Sequence, residues 1–162
     1  MSQQAITVFQ WVVAKTVRTY GVAPPEADLL GVSLRYEVPE DTEFPSERRN
    51  VALYLRLTSR SAGTTQFLIQ AHYEHRPDAW EQVASVSDGG RPINLPDDRE
   101  VDWVEAFRVP FIRLPGPGLY AVTIFFRPTD SDATDESEGT PWSPDESGWV
   151  FGAVDYFWVV RP

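Results

Sequence analysis

The stretch Pro117-Gly118-Leu119-Tyr120-Ala121-Val122-Thr123-Ile124-Phe125-Phe126 decides the fold class. A Pro-Gly turn opens it, and a run of β-branched and aromatic residues follows, the composition of a strand. Tyr120, Val122, Ile124 and Phe126 fall on one face, and Leu119 and Phe125 on the other. Outward from this run the chain repeats the pattern. Leu30, Val32, Leu34, Tyr36 and Val38 alternate with polar or small residues, as do Val51, Leu53, Leu55 and Leu57. Phe67, Ile69, Ala71 and Tyr73 follow after Ser61-Ala62-Gly63, so this pair reads as a hairpin. A period of two with one dry face belongs to antiparallel sheet packed on one side.

Further strand candidates are Ile6 to Val17, Glu81 to Val86, Val101 to Val109 and Trp149 to Val160. Pro110 marks an edge or a bulge, because proline cannot donate to a ladder. A helix over Asp102 to Val109 is the alternative there, disfavoured by propensity. Strands separated by turns every dozen residues point to an all-β, two-sheet antiparallel sandwich of about eight strands. Residues 1–162 read as one domain, with a long acidic loop over 130–148 before the last strand.

The segment Pro117-Gly118-Leu119-Tyr120-Ala121-Val122 resembles the Gly-x-Tyr approach to strand F of immunoglobulin-like domains. There the tyrosine hydroxyl bonds to nearby backbone, and the residue two further on enters the core. That residue is Val122 here rather than a cysteine, which implies a disulfide-free, immunoglobulin-like sandwich. More broadly, the chain resembles a group of small bacterial immunoglobulin-like proteins of unknown function. The matching residues are Phe44-Pro45, the strand Val51 to Leu57, and Pro117-Gly118-Leu119-Tyr120. The resemblance implies a fold and no activity.

Composition narrows the function classes. The 162 residues carry 14 basic and 24 acidic side chains, a net charge of −10. Binding to nucleic acid or to an anionic membrane is disfavoured on that balance. There is no cysteine, so thiol catalysis, disulfides and thiolate metal sites are excluded. The first residues show no secretory pattern, and the expected location is the cytoplasm or a virion assembled there.

His72 and His75 are the only imidazoles. Three positions apart on a strand they point to opposite faces, so no metal is expected on them. No Gly-x-Ser-x-Gly elbow or phosphate-binding glycine loop appears, so neither a catalytic residue nor a cofactor is expected. The acidic loop carries Asp130, Asp132, Asp135, Glu136, Glu138, Asp145 and Glu146 with no base. It reads as a solvated loop, with a basic partner or Ca²⁺ as alternatives.

The aromatic excess is the informative feature: six Trp, six Tyr and nine Phe. The first strand, the strand from Leu119 and the last strand are apolar on both faces, yet a sandwich strand needs only one dry face. The second faces must be covered by the long loop through Trp142, or offered to another chain. Trp11, Phe125, Trp142 and Trp158 are the expected contacts. The function expected is a non-catalytic intracellular interaction or assembly module, binding a protein partner or itself. A self-assembling structural protein, a sugar-binding domain and a hydrolase are the alternatives.

Overall fold

The computed structural model describes residues 6–20, 26–32, 34–59, 63–87, 93–95, 103–128, 140–142 and 148–162. These residues form strands and turns and no helix. Eleven strands are present among the described residues: β1 (Ile6–Ala14), β2 (Thr16–Tyr20), β3 (Glu26–Leu30), β4 (Arg35–Glu37), β5 (Ser46–Ser59), β6 (Gly63–Arg76), β7 (Ala79–Ser87), β8 (Ile93–Leu95), β9 (Trp103–Leu114), β10 (Gly118–Pro128) and β11 (Val150–Val160). The smaller main sheet has the order β1-β5-β9. The larger has the order β4-β11-β10-β6-β7, with β8 pairing beside β7 on β6. β2 and β3 form a separate two-stranded ribbon, which packs on β5 and β9. Pairing is antiparallel except between β4 and β11.

Both main sheets contribute to one core. Val51, Leu53, Leu55 and Leu57 of β5 join Ile69 and Ala71 of β6 and Tyr120, Val122, Ile124 and Phe126 of β10. Burying such side chains supplies roughly 1.5–3 kcal/mol each. Two polar contacts also cross between the sheets. The Trp11 Nε1–H on β1 donates to the Val122 carbonyl on β10 at 2.9 Å. The Val13 N–H donates to Asp155 Oδ2 on β11 at 2.9 Å, which occupies a β1 backbone donor facing away from β5.

The turn before β10 is clamped by two tyrosines. Tyr120 is fully buried, stacked on Tyr73 and Phe157 at centroid distances of 4.8 and 5.1 Å. Its hydroxyl donates to the Gly116 carbonyl at 2.6 Å. The Tyr73 hydroxyl donates to the next carbonyl, Pro117, at 3.1 Å.

The strand pattern departs from the sequence reading in three places. β5 and β6 are not a hairpin; they lie in different main sheets. Alternation identifies a dry face but does not say which neighbour completes the ladder. The expected strand from Leu30 to Val38 is interrupted at Gly31, which takes a left-handed φ of 69°. A Cβ there would lie 2.6 Å from the Cβ of Lys15, where the first run bends between β1 and β2. Val32 and Leu34 are consequently exposed. These breaks, with β8, turn about eight expected strands into eleven. Where a helix was the alternative, residues from Trp103 form β9. Pro110 sits in this edge strand, opposite Asn50, where the ladder with β5 skips a step and Asn50 takes φ 53°.

Candidate functional site

The outward face of the larger sheet holds the residues that core packing does not use. Its rows follow from the register: Leu119 pairs with Trp158, Ala121 with His72 and Tyr156, Thr123 with Gln70 and Val154, and Phe125 with Leu68 and Phe151. The middle of this face is buried although it lies outside the inter-sheet core. Leu68, Gln70, His72, Ala121, Thr123 and Phe125 are each 1% exposed or less. The indole of Trp149 packs with Leu68 and Phe125 and lies 4.1 Å from the Arg127 guanidinium. Arg127 Nε in turn donates to Gln66 Oε1 at 2.7 Å.

At the other end of the face an aromatic group stays open. Trp142 meets Trp80 edge-on, with centroids 5.2 Å apart, and its Nε1–H donates to the Tyr156 hydroxyl at 3.2 Å. Trp158, two residues along β11 from Tyr156, is 49% exposed, and Trp142 is 43% exposed. The Trp158 N–H donates to the carbonyl of Leu34, whose side chain is 62% exposed. Leu34, Trp142 and Trp158 thus form an exposed apolar surface at this end of the sheet.

Of the four contacts expected from sequence, the structure brings two to this surface, Trp142 and Trp158. Trp11 is in the inter-sheet core, 6% exposed and hydrogen-bonded. Phe125 does point outward, but it is sealed beneath Trp149. A bulge between Val8 and Gln10 explains Trp11: it turns Phe9 out to solvent while Val8, Trp11 and Val13 face the core. Simple alternation puts Phe9 and Trp11 on one side and misses that step. It misses Leu34 too, because a continuous strand there would put that side chain on a dry face.

His72 is fully buried and His75 is exposed. Among the described residues no group of three or more His, Asp or Glu side chains could hold a metal ion. The acidic stretch 130–146 lies outside the described residues apart from 140–142. No helix among the described residues is long and apolar enough to cross a membrane.

The Thr123 Oγ1 is buried without a hydrogen-bond partner among the described residues. An unpaired buried hydroxyl costs about 1–3 kcal/mol, so Thr123→Val is expected to leave stability unchanged or raise it by roughly 1 kcal/mol. Urea denaturation checks the sign. A loss of stability would mean that the hydroxyl is bonded in solution.

Comparison with known proteins returns no matching family model and no matching curated protein.

Proposed function

We propose that the chain is an immunoglobulin-like sandwich acting as a non-catalytic, intracellular docking module, with the open aromatic end of its larger sheet as the contact surface. The strand order supports the fold assignment. β5 and β6 are consecutive yet lie in opposite sheets, and β7-β6-β10-β11 and β1-β5-β9 divide the chain in the Greek-key manner of that family. The buried Tyr120 hydroxyl bonded to Gly116, with Val122 in the core two residues on, supports it further.

The observation that carries the functional reading is the exposure of Trp142 and Trp158 on one sheet face, beside exposed Leu34. Tryptophan gives large, rigid contact area and dominates many interfaces. Both indoles are already about half in water, so their replacement forfeits less burial than that of a core tryptophan such as Trp11.

The test is recovery of partners by the tagged full chain from native lysate, against the Trp142→Ser/Trp158→Ser variant. A stoichiometric protein lost by about tenfold or more in the variant, at an unchanged melting temperature, supports the docking surface. Equal recovery by both proteins would place the contact elsewhere. Recovery of the chain alone, with mass in solution above the monomer and reduced in the variant, would make the partner a second copy.

A further inference from the structure

Arg48 stands where β5 calls for an apolar side chain. Its ladder partner is Ile112, fully buried in the core, so Arg48 enters the mouth between the two main sheets. There its guanidinium lies over two rings of the opposite sheet, 4.6 Å from the centroid of Tyr36 on β4 and 4.7 Å from that of Phe157 on β11. Ring faces attract the cation but leave its in-plane N–H donors unused. Nη1 is buried without a hydrogen-bond partner, and no carboxylate pairs with the group among the described residues. Other arginines of the chain are satisfied differently: Arg49 pairs with Glu47, and Arg113 with Glu81.

A charged fork held partly out of water with no counter-ion is costly unless something completes it. Burial lowers its proton affinity and Tyr36 partly offsets that, but a guanidinium stays charged in either case. The surroundings say what would fit. Arg161, two residues beyond buried Val159, lies 5.0 Å from the ring of Phe44 and donates to the Thr42 carbonyl at 2.8 Å. A second cation thus borders the same end of the sandwich, in a chain of net charge −10. Glu40, Asp41 and Glu43 are exposed on the adjoining turn, which disfavours a multiply charged anion. The partly exposed rings of Tyr36 and Phe44 stand beside the two guanidinium groups, which favours an apolar body behind the charge.

We propose that the mouth between β4, β5 and β11 is a binding site for a single carboxylate carried on an apolar group, with Arg48 as its two-pronged donor over Tyr36 and Phe157. The planar fork of arginine matches a carboxylate with two parallel hydrogen bonds, which a lysine cannot reproduce. A peptide's terminal carboxylate and a small organic acid share this chemistry. The site is distinct from the aromatic surface on the outward face of the larger sheet and does not depend on it.

The test titrates the full chain, labelled with ¹⁵N-arginine, with N-acetyl-leucyl-leucine, with its C-terminal amide and with benzoate, following the Arg48 Nε–H resonance. A saturable shift with the free acids and none with the amide is expected. Tighter binding of the dipeptide by about tenfold identifies a peptide terminus as the source, and equal or tighter binding of benzoate identifies a small acid. Arg48→Lys, which lacks that resonance and is titrated by calorimetry alongside the wild type, is expected to weaken binding by about tenfold or more. Arg49→Lys, at an exposed position of β5 outside the site, serves as the control variant and should retain a saturable shift of the Arg48 resonance. No saturable shift with either acid, the same shift with the amide, or undiminished binding by folded Arg48→Lys would each overturn the proposal.

Discussion

Trp11→Ala is expected to cost the fold about 4 kcal/mol, within the range for emptying a buried Trp or Phe site. The side chain is 6% exposed, tilted against Phe107 at 6.3 Å, and its Nε1–H reaches the Val122 carbonyl. Truncation therefore opens a cavity between the sheets and also removes an inter-sheet hydrogen bond. Against a total stability of about 5–15 kcal/mol, the loss should be plain in a urea or thermal melt. Trp11→Phe refills most of the volume without the N–H, so about 1–2 kcal/mol is expected for it. The pair of variants separates a core role from a contact role. A contact residue would leave the melt unchanged and weaken partner recovery, whereas Trp11 should do the reverse of Trp158.

That contrast between Trp11 and Trp158 marks how far the sequence could be read. The segment from Pro117 to Phe126 announces its turn, its strand and its buried tyrosine through local chemistry alone, and β10 follows that reading closely. Trp11 was legible as a strand residue but not as a core residue, because one bulge after Val8 inverts the phase of the rest of β1. β11 has the same difficulty. A bulge opposite Ile124 and Phe125 puts Trp149 on the outward face and Phe157 in the core, although simple alternation assigns them one side.

Gly152 sits at that irregularity, and a Cβ there would come within 2.4 Å of the Phe126 ring. The glycine was visible in the sequence, but its meaning depends on a neighbour 26 positions away. The Trp142–Trp80 contact and the Arg48 mouth were equally illegible. Each joins residues far apart in the chain, and periodicity carries information only within an element.

Tyr120→Phe removes one oxygen and is expected to cost about 2 kcal/mol. The change leaves the ring stack with Tyr73 and Phe157 in place and strips the Gly116 carbonyl of its 2.6 Å donor in a buried turn. The result should also depend on pH, with a definite sign. Burial, chiefly, holds the phenol pKa well above its ordinary value of 10.0. Above pH 10 the unfolded chain releases this proton while the folded chain keeps it. The folded state then binds more protons, so stability falls as pH rises. The contribution of Tyr120 is thus complete below about pH 10 and declines from there through the folded pKa, by at most about 1.4 kcal/mol per pH unit. Phenylalanine does not titrate. The stability gap between wild type and variant should therefore be constant at pH 7–9 and narrow above pH 10, as urea midpoints measured at each pH would report. A gap that stays constant to pH 11 would mean that the hydroxyl ionises as readily in the folded chain as in the unfolded one, and so is neither sealed nor held by Gly116.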